Sequence, residues 1–326
     1  MEQTARKEET IGGKGYAPVE DGIYFDLHEA VYHLDEALGS SDHRKLLENP
    51  SDWWYESALN PNRPENKDTP ARLRGRAMHA LVLEGEDVFG QRYMRVEHSE
   101  DMSSAEKSAA TKAAKKQAEL TGKTVLPADV YDRVAIAGAM ITRNPKLAGA
   151  FTNGMPEVSI FWTRDGIRRK ARIDYLKPRG IGDLKSIANT REIGFPNACR
   201  NAIATYRYEM QAALYMEARS MIPQFYREGR VYGDDNFAHS ILRRCAETKE
   251  FAFQWIFFQA EKAPITWSRI LSPANPIFEI AKREIDRAAD NYKAFMDKFG
   301  RDQMWLLLEE PEELDMNEMP AWWGRS

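Results

Sequence analysis

The chain has 326 residues, of which 43% are hydrophobic, a formal net charge of −4 and two cysteines. A chain of this length and apolar content can bury a large core, which excludes general disorder, and the nearly balanced charge argues against a protein that coats nucleic acid indiscriminately. Cys199 and Cys245 are too few for a disulfide framework or a four-thiolate iron-sulfur cluster, so we expect them to be packing residues.

Both ends of the sequence are polar. The N-terminal stretch MEQTARKEETIGGKGY lacks the apolar region of a secretory signal, and no run of about 18 apolar residues occurs. We therefore expect a cytoplasmic protein with no membrane partner and a flexible N-terminus over residues 1–20. Residues 306–326 predict an acidic tail, because Glu309 to Glu318 includes six acids and no base.

The first third of the chain indicates short helices separated by loops. Between Asp21 and Tyr55, helical periodicity is broken twice by residues that favour helix ends and N-caps. The adjacent Trp53 and Trp54 either stack on a ligand or pack beneath the following loop. From Ala71 to Leu83, the stretch ARLRGRAMHALVL lacks proline and predicts one helix.

Residues 100–150 have the composition of a helical insert. Ser103 to Leu120 begins with a capping box of Ser103 and Glu106 and contains almost no large apolar residue, so it predicts an exposed helix. The lysines of this helix either contact phosphate groups or are simply solvated. A second helix is predicted from Ala128 to Arg143.

Strand character begins at Glu157, in the stretch EVSIFWTRDGIRRKARIDYLKPRGIGDLKSI. Asp165-Gly166 lies between two alternating runs and predicts a two-residue hairpin loop, and KPRG, Lys177 to Gly180, suits a four-residue turn. The stretch therefore predicts a meander of three antiparallel strands.

Three further elements are predicted after the meander. Ala198 to Arg219 has a helical pattern and places Gln211 and Tyr215 one turn apart on one face. Phe251 to Pro264 is too rich in aromatic residues for an exposed strand, so we place it inside the sheet. Pro276 to Phe299 predicts an amphipathic helix. Its expected inner face consists of Ile277, Ala281, Ile285, Ala288, Tyr292, Phe295 and Phe299. Since no linker divides the chain, residues 21–305 predict a single domain.

The two turns of the meander set the register of its strands. In this register Glu157 lies opposite Asp174, Asp174 lies opposite Asp183, and Arg172 lies opposite Lys185. Glu157, Asp174 and Asp183 then form an acidic row across three strands, beside a second row that contains Arg172 and Lys185.

The acidic row has two interpretations. Three neighbouring anions repel one another, and a divalent cation such as Mg²⁺ or Mn²⁺ would resolve the repulsion because it prefers oxygen ligands. Alternatively, the basic row neutralises the acidic row as a surface salt-bridge ladder, in which each pair contributes about 0 to 1 kcal/mol. Lys185 favours the first interpretation, because an ammonium group two residues from a metal ligand can contact both a scissile phosphate and the attacking water.

The order Asp174, then Asp183-Leu184-Lys185, resembles the PD-(D/E)XK nuclease superfamily. GRAMH, Gly75 to His79, resembles the G-x-x-x-H helix motif of the RecB-like group, and QAALY, Gln211 to Tyr215, resembles the Q-x-x-x-Y helix of that group. FQAEKAP resembles the strand ending that follows. Together with GRAMHALVLEGEDVF and SSDHRKLLENPSDWWY, these motifs are most similar to the RecE-type exonucleases of phages and prophages, the exodeoxyribonuclease VIII family. The chain departs from the pattern where Arg172-Ile173-Asp174 replaces the usual PD.

The resemblance implies an α/β fold with a PD-(D/E)XK nuclease core: helix, three-stranded antiparallel meander, helix and strand around a mixed central sheet, flanked by additional helices. It also implies roles for individual residues. The expected metal ligands are His79, Asp174, Asp183 and the backbone carbonyl of Leu184. Lys185 is expected to orient the attacking water, and Glu157 to hold a second metal or a metal-bound water. The residues expected to contact DNA or brace the site are Gln211, Tyr215, Arg172, Ser186, Arg74 and Arg76.

An arginine rim is a further expectation, since arginine forks bind backbone phosphates without reading sequence. Its expected members are Arg72, Arg74, Arg76, Arg168, Arg169 and Arg172. Binding through such contacts would be independent of sequence and would weaken steeply with salt.

The function implied is that of a Mg²⁺-dependent exonuclease, with Mn²⁺ as a substitute and no iron-sulfur cluster, that resects one strand of duplex DNA from an end. RecE-like enzymes imply a homo-oligomer, such as a ring, a single-strand annealing protein as partner, and a phage or prophage gene in a bacterial cell. Two alternatives remain: an endonuclease or flap nuclease of the same fold, and a nuclease-like module that binds DNA or protein without cutting.

Overall fold

The computed structural model describes residues 18–64, 69–97, 101–147, 149–189, 191, 193–233, 235–259, 263, 265–307, 311–320 and 323. A seven-stranded mixed sheet lies at the centre of the protein, and helices pack against both of its faces. Two further short strands pair in parallel and form a separate two-stranded sheet. The architecture confirms the predicted α/β class.

The bounds of the elements follow in chain order. The described strands are β1 Gly22–Tyr24, β2 Tyr93–Arg95, β3 Thr124–Leu126, β4 Met155–Arg164, β5 Ile167–Lys177, β6 Gly180–Ile187, β7 Val231–Tyr232, β8 Ala252–Gln259 and β9 Thr266–Leu271. The described α-helices are α1 Glu29–Leu34, α2 Ser40–Glu48, α3 Pro50–Glu56, α4 Pro70–His79, α5 Glu86–Arg92, α6 Ser104–Thr121, α7 Ala128–Thr142, α8 Phe195–Tyr206, α9 Tyr208–Ser220, α10 Ile222–Arg227, α11 Asn236–Glu247 and α12 Pro276–Phe299. A π-helical turn spans Ala80–Glu84, and a 3₁₀ turn spans Met316–Glu318.

β4, β5 and β6 follow one another as the predicted antiparallel meander, but β5 and β6 pair only from Tyr175 to Lys177. Asp165 and Gly166 occupy the first loop with φ of 53° and 78°, the left-handed conformations that a two-residue hairpin turn requires. β4 and β5 pair in the predicted register, from Met155 opposite Leu176 to Arg164 opposite Ile167.

The strand order is β7-β1-β4-β5-β6-β8-β9. β8 lies parallel to β6 and is buried on both faces, which confirms the prediction for the aromatic stretch. That strand ends at Gln259, and residues 260–262 and 264 of the predicted segment lie outside the described residues. β1, β7 and β9 were not predicted, since two of them are only two or three residues long and the third is a half-exposed edge strand.

Two of the predicted helices differ from the observed ones. The helix predicted over Ala71 to Leu83 is α-helical only as far as His79, after which the chain widens into the π turn. The helix predicted over Ala198 to Arg219 is broken at Arg207, which adopts the left-handed conformation with φ of 54° and ψ of 44°. Ion pairs from Arg207 to Glu209 and Glu284 stabilise this break.

α12 has the predicted bounds, and Ala281, Ile285 and Ala288 are buried as expected. Ile277 is a correction, because its side chain is 49% exposed and the next residue, Phe278, packs against the core instead.

The tryptophan pair in α3 is buried, with 5% exposure at both Trp53 and Trp54. The Trp53 ring contacts Tyr292 of α12 and Trp305, which follows that helix. Packing is therefore the correct alternative for this pair. Cys199 and Cys245 are also buried and unpaired, as predicted.

No helix in the described part of the chain combines the length and the apolarity that a membrane crossing requires. Residues 1–17, most of the predicted flexible N-terminus, lie outside the described residues, and so do 308–310, 321–322 and 324–326 of the predicted acidic tail.

Candidate active site

A gap opens between β5 and β6 where two of the predicted acids lie. The ladder between these strands ends at Tyr175 opposite Gly182, so the predicted pairing of Asp174 with Asp183, and of Arg172 with Lys185, is wrong. β6 instead pairs with β8 along all of its residues from Gly180 to Ile187. The separation of the two strands leaves backbone and side-chain groups of both without partners in a β5–β6 ladder.

Asp174 takes the place of the missing ladder at this gap. Its Oδ2 accepts a hydrogen bond of 2.9 Å from the backbone N–H of Leu184, a group that a neighbouring strand would otherwise bind. The carboxylate is thereby held at the point of divergence, with only 9% of its side chain exposed.

His79 lies at the end of α4 and reaches into the gap. Its Nε2 lies 3.1 Å from the carbonyl oxygen of Leu184 and 3.7 Å from Oδ2 of Asp174, and its Nδ1 lies 3.4 Å from Oε1 of Glu157. The π turn begins at the next residue, and such turns occur frequently at functional sites. One imidazole thus contacts two predicted acids and a predicted carbonyl ligand.

Glu157 has a strained backbone for a non-glycine residue, with φ of 52°. The predicted pairing of Glu157 with Asp174 is absent from the β4–β5 ladder, although the pairs on either side, Pro156 with Tyr175 and Val158 with Ile173, keep the predicted register. The cost of such a conformation is about 1 kcal/mol or more, and it accompanies the contact between the carboxylate and His79.

Asp183 and Lys185 form the second half of the site. The Asp183 side chain is fully buried, and its Oδ1 accepts hydrogen bonds from Nζ of Lys185 at 2.7 Å and from Nε2 of Gln211 at 3.3 Å. Oδ2 of Asp183 is also buried and has no hydrogen-bond partner within the described structure. α9 supplies Gln211, and its first residue, Tyr208, places its ring under the Lys185 ammonium at 5.1 Å.

The charges of the two halves act on one another. Burial by itself would lower the pKa of His79, but Asp174 and Glu157 outweigh it and raise the value to about 9. Burial raises the pKa of Asp183, with Asp174 adding to the rise and Lys185 opposing it. Burial would lower the pKa of Lys185, but Asp183 and Asp174 raise it, so the ammonium stays charged. The acids of the site are thus balanced by two nearby cations, the imidazolium of His79 and the ammonium of Lys185.

A complete metal cluster is not assembled in this arrangement: no three His, Cys, Asp or Glu side chains of the described residues converge as a ligand set. The chemistry of the donors nevertheless fits a divalent cation. Oδ2 of Asp183 is an orphaned buried acceptor, the Leu184 carbonyl belongs to the same strand β6, and Asp174 lies on the facing strand β5. Two carboxylates, a carbonyl and an imidazole form a donor set that suits Mg²⁺ or Mn²⁺.

A cavity of about 200 Å³ lies beside these groups and is bordered by His79, Lys185, Ser186 and Tyr208, among others. Gly75 also borders it, one helical turn before His79, and no atom lies within 4 Å of the position that its Cβ would take. Packing therefore does not require glycine here, although glycine inside a helix costs about 1 kcal/mol relative to alanine. Its missing side chain keeps space open in front of the histidine.

The predicted arginine rim is only partly supported. Arg168 pairs with the buried carboxylate of Asp35 at 3.0 Å and has 30% of its side chain exposed, whereas Arg169 is 1% exposed and does not lie on an accessible rim. Arg172 bonds to Oγ of Ser159 and to the carbonyl of Leu27, which favours a bracing role. The helix α4 presents Arg72 and Arg76 on its exposed surface and Arg74 in a half-buried position.

Tyr215 is buried in α9, one turn after Gln211, where burial raises its pKa well above the usual value. It borders a second cavity of about 330 Å³ together with Tyr32 and Lys170. Tyr32 and Tyr208, which contact Arg172 and Lys185 through their rings, do not stand out in the sequence. An aromatic residue near a predicted basic residue gives no distinct pattern in one sequence.

Comparison with known proteins adds two findings. A model of the family described as "PDDEXK-like domain of unknown function (DUF3799)" matches residues 43–231, a span that includes α4, β4 to β6 and α9. Among solved structures, a protein from Eubacterium rectale named "Putative exonuclease" is 14% identical with a TM-score of 0.47, and the alignment covers 89% of this chain and 97% of that chain. None of the curated proteins matches this chain.

Proposed function

The chain belongs to the family of PDDEXK-like domains described as DUF3799 and has the fold of PD-(D/E)XK nucleases, and from this premise we propose that it is a divalent-metal-dependent deoxyribonuclease. The proposed active site is the gap between β5 and β6, with Asp174, Asp183, Lys185 and His79 as its central residues.

The observation that carries this proposal is the separation of β5 from β6 at two acids. A surface salt-bridge ladder requires Asp174 opposite Asp183 and Arg172 opposite Lys185, and neither pair forms. The acids instead lie in a cleft where Asp183 is fully buried. Burying a carboxylate costs several kcal/mol before its partners compensate, and sites that pay this cost are often functional.

Each residue has a role in the proposed reaction. Asp174, Asp183 and the Leu184 carbonyl would hold Mg²⁺ or Mn²⁺, with His79 completing the shell. The bound cation would polarise the scissile phosphate and lower the pKa of the attacking water. Glu157 would orient His79 through its contact with Nδ1, or serve a second cation.

Lys185 would act directly on the reacting groups. Its ammonium is held by Asp183 at 2.7 Å, and its side chain is 14% exposed and borders the cavity, so it has both a fixed position and access to substrate. From there it would orient the water and stabilise the charge that develops on the phosphate. Gln211, through its bond to Asp183, and Arg172, through its bonds to Ser159 and Leu27, would brace these groups.

The finer proposal is a RecE-like exonuclease that resects one strand of duplex DNA from an end, so that a single-strand annealing protein can use the remaining strand. It is supported by the sequence motifs around His79, Asp183 and Gln211. In this finer proposal the protein forms a homo-oligomer, such as a ring. It is encoded by a phage or prophage and acts in the bacterial cytoplasm. Tyr215, Ser186, Arg74 and Arg76 would contact DNA or brace the site. Residues 21–305 would form one nuclease domain with a helical insert.

Digestion of linear and covalently closed duplex DNA tests this proposal. With Mg²⁺ or Mn²⁺, we expect end-labelled linear duplex to be shortened progressively and the closed circle to remain intact, and we expect EDTA to abolish the shortening. Labels at each of the four strand ends give the polarity. Cleavage of the closed circle would replace the exonuclease with an endonuclease, and an absence of cleavage under all these conditions would favour a non-catalytic binding module.

A further inference from the structure

Two tyrosines lie side by side at the break between α8 and α9. The ring centroids of Tyr206 and Tyr208 are 5.6 Å apart, with an angle of 36° between the ring planes. Tyr208 borders the cavity of the candidate active site, and the Lys185 ammonium lies 5.1 Å from its ring centroid. Tyr206 is 52% exposed. An exposed aromatic ring is therefore connected to the proposed catalytic lysine through one intervening ring.

The backbone break is what brings the two rings together. In a continuous α-helix, side chains two residues apart point in directions about 200° apart and do not face each other. Arg207, between them, adopts a left-handed conformation that costs about 1 kcal/mol for a residue other than glycine. Its Nε bonds to Glu209 at 2.6 Å, and its guanidinium also pairs with Glu284 of α12. The chain thus maintains a strained residue that pairs the tyrosines at the mouth of the site.

Packing does not account for the position of Tyr206. Its neighbours in α8, Ala198, Cys199 and Ala202, are buried in the core, whereas Tyr206 has more than half of its surface in solvent. An exposed aromatic ring one ring away from a lysine that borders the cavity suits single-stranded nucleic acid, since bases stack on aromatic rings while cations contact the phosphates.

We propose that Tyr206, supported by Tyr208, is a stacking platform for an unpaired nucleobase of the strand that is cut at Lys185. This inference rests on the proposed nuclease function and specifies its substrate further. Because every base has a stacking face, the platform accepts any base. A closed terminal base pair presents only its outer face and stays held by its partner strand, whereas an opened base is free to stack on Tyr206. The enzyme is therefore selective for frayed or unpaired ends over closed ones.

Stacking can be measured on DNA with 2-aminopurine at an unpaired terminal position, whose fluorescence is quenched when the base stacks. In EDTA, we expect the wild-type protein to quench this probe, Tyr206→Ala to abolish the quenching and weaken binding about 10-fold, and Tyr206→Trp to restore both. With Mg²⁺, we expect Tyr206→Ala to raise KM by a similar factor with little change in kcat. Phe237→Ala, at an equally exposed aromatic residue of α11 (54%), should match the wild type in every assay.

The outcomes separate this inference from the proposed function. If the wild-type protein cleaves DNA but Tyr206→Ala binds and quenches like the wild type, the platform is wrong and the nuclease proposal stands. If the wild-type protein does not cleave, the nuclease proposal fails, and the EDTA measurement alone decides whether Tyr206 binds a base. Weak binding by both Tyr206→Ala and Tyr206→Trp, with normal unfolding curves, would contradict a stacking role.

Discussion

Substitution of Lys185 by alanine is expected to lower the rate of metal-dependent DNA cleavage by about 10² to 10⁴-fold, while DNA binding stays within a few-fold of the wild type. The expected loss is large because the Lys185 ammonium, which Asp183 holds at 2.7 Å beside the cavity, is the group proposed to orient the attacking water and stabilise the charge on the phosphate. Single-turnover rates on end-labelled duplex, with binding measured in EDTA, give the two quantities separately.

Lys185→Ala also leaves the buried Asp183 carboxylate with one partner fewer, so stability must be checked independently. Lys185→Met retains the volume of the side chain, and thermal unfolding of both variants shows whether the fold is intact. Lys282→Ala, at an exposed lysine of α12 that pairs with Glu279 and lies over the Phe278 ring, should cleave DNA like the wild type. A folded Lys185→Met protein that still cleaves DNA at the wild-type rate would remove Lys185 from the mechanism.

The largest effect on stability is expected for Glu217→Ala, which should lower the free energy of unfolding by about 3 kcal/mol. Glu217 lies in α9 and joins this helix to the sheet. Its carboxylate accepts hydrogen bonds from Nε1 of Trp162 and from Arg164, both at 2.8 Å, and lies 3.3 Å from the guanidinium of Arg169. Arg169 is 1% exposed, so removal of the carboxylate leaves a buried charge without compensation.

Urea unfolding followed by circular dichroism measures this change. Glu279→Ala, at an acid of α12 whose side chain is 57% exposed, is the control and should change stability by less than about 0.5 kcal/mol. Since α9 also carries Tyr208, Gln211 and Tyr215, partial loss of cleavage is expected to accompany the destabilisation. A loss below about 1 kcal/mol for Glu217→Ala would show that the Arg169 charge is compensated in another way.

Turn and periodicity patterns in the sequence predicted the order and the turns of the meander strands, because each turn depends on a few neighbouring residues. Asp165-Gly166 determines the β4–β5 register, and the amphipathic period of 276–299 gave both ends of α12. These local patterns did not predict the β5–β6 gap. There the side chain of Asp174 binds the Leu184 N–H, and β8, about 70 residues later in the chain, takes the other edge of β6. Neither contact produces a sequence pattern in the KPRG turn that joins β5 to β6.

The remaining errors also arise from contacts distant in sequence. Arg168 and Arg169 were predicted on a rim, but their partners Asp35 and Glu217 are 133 and 48 residues away. The break at Arg207 contains neither glycine nor proline, and it depends on an ion pair with Glu284 of α12. A single sequence does not indicate with which acidic residue an arginine will form an ion pair in the folded protein. The residue types of the site could therefore be predicted, but not the gap that separates them or the tyrosine pair beside it.

The position of bound Mn²⁺ tests the central claim most directly. Crystals of the wild-type protein grown with Mn²⁺ and measured at the manganese absorption edge should show an anomalous peak between β5 and β6, within bonding distance of Asp174 and Asp183. The peak should be lost in Asp183→Asn crystals. An ordered gap that binds no Mn²⁺ at saturating concentration, or Mn²⁺ bound only at another place, would contradict the proposed active site.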